Sequence, residues 1–240
     1  MYRKVFANKI FERKVVMVSG GCAGIGRALV LRFAQAGARL VILDLEQDAL
    51  DSLVQHLKDH HNVDALGFCC DVADVERVEH CVTQAIGQFG GIDVLINNAG
   101  VTHRSTFADT TLDVFRRIMD INYFGAVHCT HAALPSLIER HGQVIVMSSL
   151  SGFSPLLYRS AYNASKHALH GLFETLRCEL AGSGVGVMLV CPGFTATDLR
   201  KNALVGDASI SAQPPLAMGK VASAQEVAEA IYRAAVKRKR

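Results

Sequence analysis

The chain has 240 residues, a formal net charge of +3 at pH 7 and 50% hydrophobic residues. This length allows one domain with a large core, and the small net charge excludes a broad nucleic-acid surface. The seven cysteines and ten histidines show no metal-ligand spacing, and no apolar stretch reaches the length of a membrane span.

Apolar runs typical of buried strands alternate with helical patterns along the whole chain. The predicted strands cover 15–19, 40–43, 65–70, 94–97, 144–148 and 185–191. The predicted helices cover 27–36, the stretch after Asp44 to about 58, 75–89, 112–140 with a break near Asn122, 160–182 and 225–235. Strands separated by one helix each predict βαβ units, and therefore an α/β fold with three layers and a doubly wound parallel sheet of six strands.

We expect residues 1–240 to form a single domain, because no repeat, low-complexity stretch or linker divides the chain. Residues 197–219 show no clear periodicity and are predicted to form a substrate-binding loop or lid. The N-terminal residues are basic and mixed, without the apolar core of a secretory signal, and the odd cysteine count indicates free thiols. These features favour a cytoplasmic protein.

A glycine-rich turn with the sequence SGGCAGIG joins the first predicted strand to the first predicted helix. Its glycines let the backbone approach a pyrophosphate closely, and the start of the helix offers N–H groups to that anion. A tight turn without a ligand is the alternative, but the position between a strand and a helix favours a dinucleotide. The cofactor-binding candidates in this turn are Ser19, Gly20, Cys22, Gly24, Ile25 and Gly26.

Asp44 ends the second predicted strand, 24 residues after Gly20, where an acid can accept hydrogen bonds from the adenosine ribose. A carboxylate there repels a 2′-phosphate, and Leu45 rather than an arginine follows it. NAD(H) is therefore favoured, and NADP(H) stays possible. Asp71, followed by Val72, ends the third strand, where its carboxylate can reach the adenine amino group. Capping of the following helix is the alternative role for each of the two acids.

Tyr162 and Lys166 lie four residues apart in a predicted helix, so both side chains are on one face. An ammonium beside a phenol favours the phenolate and lowers the tyrosine pKa from its usual value of about 10, which suits a general acid or base. Such a pair occurs by chance on many helices. It gains weight here from the glycine turn and from Ser149, thirteen residues before Tyr162.

Together these motifs resemble the short-chain dehydrogenase/reductase family, in that family's order and over nearly the whole chain. The matching elements are the turn 19–26, Asp71-Val72, Asn97 to Gly100, Asn122, Ser148-Ser149, Tyr162 with Lys166, and Pro192-Gly193 with Thr197. Residues 159–168 are more closely similar to the branch of member-7-type dehydrogenase/reductases and corticosteroid-type hydroxysteroid dehydrogenases. The resemblance implies a Rossmann fold and a seventh strand that begins about where the chain reaches Arg240.

The resemblance also implies hydride transfer between the nicotinamide C4 and a carbonyl or carbinol carbon, in an enzyme acting on CH–OH groups. Tyr162 would exchange a proton with the substrate oxygen and Ser149 would hydrogen-bond that oxygen. Lys166 would lower the tyrosine pKa and hold the nicotinamide ribose, and Asn122 would hold a water near Lys166. The further cofactor contacts implied are Asn98, Ala99, Gly100, Pro192, Gly193, Thr195 and Thr197, together with Tyr162 and Lys166 themselves.

The residues that flank the catalytic positions are mostly apolar and favour a hydrophobic alcohol or ketone. The substrate candidates are His103, Ser149, Phe153, Tyr158 and Phe194, and for the apolar ones core or lid packing is an equal alternative. Two other functions stay open, namely a non-catalytic NAD(H)-sensing scaffold and an NADPH-dependent carbonyl reductase. The family's usual pairing through long helices favours a homodimer or homotetramer.

Overall fold

The structure, a computed structural model, describes residues 9–197, 199, 203–210 and 221–239. Within them, six strands form one parallel sheet: β1 Val15–Ser19, β2 Arg39–Asp44, β3 Ala65–Cys69, β4 Val94–Asn97, β5 Gln143–Met147 and β6 Gly186–Val190. The helices are α1 Gly24–Ala34, α2 Gln47–His61, α3 Val75–Phe89, α4 Leu112–Met119, α5 Gly125–Glu139, α6 Ser160–Glu179 and α7 Ala224–Val236.

The strand order of the sheet is β3-β2-β1-β4-β5-β6. The chain therefore builds outward from β1 in one direction and then returns to build outward from β4 in the other. Val16 of β1 pairs with Leu40 on one side and with Val94 on the other. This reversal opens a crevice at the carboxyl ends of β1 and β4, the place where open α/β sheets bind ligands. The predicted doubly wound parallel sheet is confirmed.

Alternate side chains of each strand enter two separate hydrophobic cores. Val16 and Val18 of β1 face a core that also contains side chains of α1, α2 and α7. Val15 and Met17 face the opposite core, which also contains side chains of α3, α5 and α6. Each fully buried aliphatic side chain of this kind stabilises the fold by about 1.5–3 kcal/mol. Helices on both faces explain why the strands read as unbroken apolar runs.

Several boundaries differ from the sequence-based expectation. The helix predicted over 27–36 begins earlier, at Gly24, because the end of the glycine turn is itself helical. The predicted break near Asn122 is a π-helical segment, Asp120–Phe124, between α4 and α5. Two short strands, β7 Thr195–Ala196 and β8 Ala222–Ser223, pair in a small second sheet that the sequence pattern did not predict.

The predicted lid over 197–219 is described only at 197, 199 and 203–210, and its remaining residues lie outside the described ranges. Leu204 pairs with His103 in an isolated bridge. The backbone of the loop after β4 therefore pairs with part of this segment. None of the helices that the structure describes is both long and apolar enough to cross a bilayer.

Candidate active site

The glycine turn places the amino end of α1 against the carboxyl end of β1. Gly20 has a φ of +65°, in the left-handed region where glycine is favoured. A Cβ on Gly26 would lie 2.0 Å from the Gly20 carbonyl oxygen and 2.5 Å from Nδ2 of Asn98. No side chain caps the start of α1. The first-turn N–H groups of this helix are therefore available to an anion.

Asn98 and Ser19 hold the turn in shape through a closed set of hydrogen bonds. Asn98 Nδ2 donates to the carbonyl oxygens of Ser19 (3.0 Å) and Gly20 (2.8 Å). Ser19 Oγ accepts from the N–H groups of Asn98 (3.0 Å) and Ala99 (3.1 Å). Ser19 is buried, so its hydroxyl supports the turn and does not reach the crevice.

Asp44 is bound to the backbone of the same turn. Its Oδ2 accepts from the N–H of Cys22 and its Oδ1 from the N–H of Leu45, both at 2.8 Å. Burial, with the neighbouring Asp44 charge adding to it, raises the pKa of the Cys22 thiol to about 12. The thiol is therefore neutral at physiological pH.

Asp71 and Val72 are not part of the wall that the described residues form around the glycine turn. Asp71 is exposed and accepts a hydrogen bond from the N–H of Ala73 at 2.9 Å. The cap of α3 is Asp74, whose side chain accepts from the N–H of Arg77. Val72 is buried and lies where a Cβ on Gly125 would touch it, at 2.5 Å. Val72 therefore packs against the start of α5, whereas Asp71 stays at the surface.

The crevice continues into a cavity of about 600 Å³ that contains most of the predicted site residues. Its wall includes, from the predicted sets, Gly20, Gly24, Ile25, Asp44, Leu45, Asn98, Ala99, Gly100, Ser149, Tyr162, Lys166, Pro192, Gly193, Phe194, Thr195 and Thr197. A second cavity of about 850 Å³ lies between α1 and α7. The described side chains of its wall do not include Ser149, Tyr162 or Lys166, so the first cavity is the candidate active site.

Tyr162 and Lys166 are buried on one face of α6, with 8% and 5% of their surfaces exposed. The ammonium Nζ of Lys166 lies 5.7 Å from the centre of the tyrosine ring and donates to the Met147 carbonyl oxygen at 2.7 Å. That carbonyl belongs to the last residue of β5. The strand end thus fixes the lysine, and α6 fixes the tyrosine beside Ser149.

The pKa values of the two residues differ from the sequence-based expectation. Burial raises the pKa of Tyr162, and a hydrogen bond with Ser149 and the charge of Arg159 only partly oppose it. Burial also lowers the pKa of Lys166 to about 8. The expected lowering of the tyrosine pKa by Lys166 does not prevail, because desolvation is the larger effect and weakens the lysine's own charge.

Asn122 lies behind the cavity, in the π-helical segment, and its side chain is held by protein groups. Its Nδ2 donates to the Val101 carbonyl oxygen and to Ser165 Oγ, each at 2.9 Å, and its Oδ1 accepts from the N–H of Val101 at 2.8 Å. A Cβ on Gly100 would lie 3.1 Å from Asn122 Oδ1 and 3.7 Å from Lys166 Nζ. Gly100 therefore separates the asparagine from the lysine.

Ser148 and Ser149 have different partners at the end of β5. Ser148 Oγ lies 2.9 Å from Nε2 of His170 and donates to the Lys166 carbonyl oxygen at 3.4 Å. Ser149 Oγ accepts from the N–H of Ser151 at 3.1 Å, and its hydrogen bond with Tyr162 acts on the tyrosine pKa. Ser149 is therefore the serine that faces the phenol.

Three of the substrate candidates do not reach the cavity wall as the described residues form it. His103 is fully buried, and neither ring nitrogen has a hydrogen-bond partner in the described part of the chain. Burial lowers its pKa to about 4. Phe153 is 60% exposed, with its ring against that of His170. Tyr158 is exposed and has a φ of +65°. Phe194 lines the cavity as expected.

The polar residues of the cavity wall that the sequence reasoning missed include Thr102 and Arg159, besides Ser151 and Ser154. Nη1 of Arg159 donates to Thr102 Oγ1 at 2.5 Å and to the His103 carbonyl oxygen at 2.9 Å. The available signal was an arginine three residues before the tyrosine, a spacing that places both near one side of a helix. Among the described side chains, no cluster of histidine, cysteine or acidic groups is able to hold a metal ion.

Comparisons with known proteins agree with this geometry. A sequence profile for the short chain dehydrogenase family matches residues 14–206. Dehydrogenase/reductase SDR family member 7B of Mus musculus is 35% identical over 246 residues, which cover 100% of this chain and 76% of that protein. The protein of the same name from Xenopus tropicalis is 37% identical over 248 residues, covering 100% and 80%.

Two solved structures have the same architecture. A short chain dehydrogenase/reductase from Burkholderia phymatum, in complex with NAD, is 27% identical with a TM-score of 0.85 and covers 95% of this chain and 88% of its own. An alcohol dehydrogenase from Thermococcus sibiricus, complexed with 5-hydroxy-NADP, is 24% identical with a TM-score of 0.80, covering 93% and 90%. The second likeness shows the fold alone.

Proposed function

Because the chain belongs to the short chain dehydrogenase family of oxidoreductases, we propose that it transfers a hydride between NAD(H) and a hydrophobic secondary alcohol or ketone. The observation that carries the proposal is the shared cavity. Tyr162, Ser149 and Lys166 line the same space as the glycine turn and Asp44. One bound molecule can therefore reach from the amino end of α1 to the phenol, as a dinucleotide must.

The residues at the turn end fit a dinucleotide. The uncapped amino end of α1 suits the pyrophosphate, and the Asp44 carboxylate suits the hydroxyls of the adenosine ribose. NAD(H) bound there supplies or accepts the hydride at its nicotinamide ring. The negative charge of Asp44 disfavours a 2′-phosphate, so we favour NAD(H) over NADP(H). The NAD complex of the Burkholderia phymatum protein supports a nicotinamide dinucleotide in this fold.

The proton transfer is assigned to Tyr162. In oxidation its phenolate takes the proton of the alcohol, and in reduction its hydroxyl returns a proton to the carbonyl oxygen. Ser149 faces the phenol and hydrogen-bonds the same substrate oxygen, where charge develops in the transition state. The Lys166 ammonium is buried beside the tyrosine and suits the hydroxyls of the nicotinamide ribose.

Asn122 has a positioning role in this proposal. Its side chain joins the loop after β4, through Val101, to α6, through Ser165. These bonds fix the distance between Gly100 and Lys166. A water held near Lys166 by this segment would complete a proton path to solvent, as the family resemblance implies.

The preference for a hydrophobic substrate rests on the far end of the cavity. Leu150, Leu156, Phe194 and Leu199 line it, and Leu157 stands exposed in the neighbouring loop. A ring or chain of apolar carbons would cover this surface and gain about 25 cal/mol for each Å² removed from water. We also propose that residues 1–240 act as one domain, in a homodimer or homotetramer formed through the long helices.

The test is the variant Tyr162→Phe, assayed with NAD⁺ and NADP⁺ against steroid alcohols, retinols and aliphatic or cyclic secondary alcohols. We expect kcat to fall at least about 100-fold while the Kd for the cofactor stays within about twofold. Tyr232→Phe is the matched control, because it removes a hydroxyl from α7, whose ring packs against Phe11 and Phe33 away from the cavity.

The possible results separate the candidate functions. Undiminished turnover in Tyr162→Phe would refute the assigned role of the phenol. Cofactor binding without turnover of any alcohol or ketone in the panel would favour the sensing scaffold. Tighter binding of NADPH than of NADH would favour a carbonyl reductase. It would also contradict the interpretation that Asp44 selects NAD(H). Turnover restricted to charged or sugar substrates would reject the hydrophobic substrate.

A further inference from the structure

Arg159 is a cation in the wall of the active-site cavity to which the proposed reaction assigns no task. It directly precedes α6, and Tyr162 lies three residues later in the first turn of that helix. Residues three apart at a helix start lie near one another, with Cβ atoms about 5–6 Å apart. Both side chains line the same cavity as Ser149.

The guanidinium of Arg159 is fixed in place by the loop after β4. Its Nη1 donates to Thr102 Oγ1 at 2.5 Å and to the His103 carbonyl oxygen at 2.9 Å. That loop is itself held, because the N–H of Leu204 donates to the Thr102 carbonyl oxygen at 2.9 Å and the N–H of Arg104 donates to the Leu204 carbonyl oxygen at 2.7 Å. The positive charge is therefore permanent and confined to one position.

Within the part of the chain that the structure describes, the other ionisable groups around this end of the cavity come from three elements. They are Lys166 and His170 of α6, His103 of the loop after β4, and Cys191 directly after β6. α4 turns apolar side chains toward the start of α6, since Val114 and Ile118 pack with Ala161. Among these groups the histidines have lowered pKa values and the thiol a raised one, so all three are neutral near pH 7.

Among the described side chains, Lys166 is the other cation beside Tyr162. Burial lowers the pKa of Lys166 to about 8, so part of the lysine is neutral at mildly alkaline pH. Arg159 stays charged throughout this range. The electrostatic effects on the Tyr162 pKa agree with this difference, because the charge of Arg159 lowers it while burial raises it.

We propose that Arg159 is a positioning residue for proton transfer, whose fixed positive charge favours the phenolate of Tyr162 when the tyrosine accepts the proton of an alcohol. The inference rests on the proposed function, because it assumes that Tyr162 is the general base. In this proposal Arg159, and not Lys166 alone, stabilises the negative charge of the Tyr162 phenolate. Lys166 then has the holding of the nicotinamide ribose as its main role.

The test is the pH dependence of kcat/KM for cyclohexanol oxidation by NAD⁺, with a steroid alcohol as a second substrate. In Arg159→Gln we expect the acidic limb to move to higher pH by about one unit, the size expected for a partly screened charge several ångströms away. Arg159→Lys keeps the charge and should leave the limb near its wild-type position. If the glutamine variant does not fold, Arg159→Met keeps the apolar stem and replaces it in the comparison.

The matched control is Arg116→Gln, which removes a cation from α4 that is 69% exposed and paired with Asp113. It should leave the limb unmoved. An unmoved limb in the neutral Arg159 variants, or an equal shift in Arg159→Lys, overturns the inference even if kcat or the melting temperature falls. Tyr162→Phe separates the two claims: if it keeps the wild-type limb, the proposed role of the tyrosine fails instead.

Discussion

At the glycine-turn end of the cavity, Asn98, Ser19 and Asp44 bind the backbone through hydrogen bonds of 2.8–3.1 Å. At the substrate end, Leu157 is 74% exposed and the ring nitrogens of His103 are buried with no hydrogen-bond partner among the described residues. The first end is built from the edges of β1, β2 and β4, and the second from loops after β4, β5 and β6.

The two ends of the cavity differ in what fixes the positions of their side chains. A parallel sheet fixes the position of every strand end, so a few side chains suffice to hold a cofactor in one pose. Loops carry more variable residues and decide which substrate fits. The cofactor and the proton transfer can therefore be inferred from the rigid end, whereas the substrate depends on the side chains of the other end.

The strongest way to break the rigid end is Gly26→Ala. Its Cβ would lie 2.0 Å from the Gly20 carbonyl oxygen, a backbone atom that cannot move aside as the end of a flexible side chain can. We expect a loss of about 3 kcal/mol in the free energy of unfolding and at least a tenfold weaker Kd for NADH. Thermal unfolding and fluorescence titration measure the two effects.

The matched control for that variant is Gly87→Ala in α3, where an added Cβ meets no atom within 4 Å. This change should stabilise the protein by about 0.4–1 kcal/mol, because it only reduces the freedom of the unfolded chain and improves the helix. Equal destabilisation by the two variants would show that the turn is less tightly held than its contacts indicate.

Lys166→Met tests how much the buried ammonium, which lies between the glycine-turn end and the substrate end of the cavity, destabilises the fold. The pKa of Lys166 is about 8 in the folded protein and about 10.5 without burial. The unfolded state binds more protons between these values, so the contribution of this residue to stability rises as pH increases from about 8 to about 10.5 and is constant below about 8. The cost of the buried ammonium is fully present below pH 8 and reaches about 3 kcal/mol.

The methionine variant removes that cost. It should therefore unfold at a higher temperature than the wild type near pH 6, and the difference should shrink as the pH approaches about 10.5. Melting temperatures of both proteins across this range provide the measurement. Parallel plots of melting temperature against pH for the two proteins would mean that burial does not destabilise the charged form of Lys166. Water would then reach the lysine in the cavity.

The sequence predicts the rigid end well and the substrate end poorly, for a physical reason. The strand Val15–Ser19 and the glycine turn follow from local composition, because apolar runs and glycines allow few other structures. The orientation of Tyr158 depends on a positive φ, and that of His103 on a bridge to Leu204, far along the chain. Neither has a local signal.

Two features of the catalytic residues, the helix break near Asn122 and the Tyr162–Lys166 pair, are predicted from the sequence only in part. The pattern indicated a break near Asn122, but not that it is a π-helical segment that aims the side chain at Val101 and Ser165. The pairing of Tyr162 with Lys166 followed from helical spacing alone. Its electrostatic consequence did not, since burial is a tertiary property that reverses the sign of the tyrosine shift.

Asp44→Asn sharpens the cofactor part of the comparison. The amide keeps the size of the side chain and can still accept a hydrogen bond from one of the N–H groups of Cys22 and Leu45. It removes the charge that repels a 2′-phosphate. We expect the ratio of the Kd values for NADP⁺ and NAD⁺ to fall about tenfold, which corresponds to about 1.4 kcal/mol. An unchanged ratio would assign cofactor choice to another part of the site.

Leu156→Ala and Leu157→Ala form a matched pair at the substrate end, and their effects are the smallest expected. Leu156 lines the cavity, whereas the neighbouring Leu157 is 74% exposed and absent from the wall formed by the described residues. Shortening Leu156 removes apolar contact with a bulky alcohol worth about 1 kcal/mol, so KM for a cyclic or steroid alcohol should rise about fivefold while that for 2-propanol stays the same. Leu157→Ala should change KM by less than twofold, and both variants should keep their unfolding free energy within about 0.5 kcal/mol. A larger effect on KM from Leu157→Ala than from Leu156→Ala would contradict this assignment. It would mean that the loop after β5 changes conformation when the substrate binds, so that Leu157 rather than Leu156 contacts the substrate.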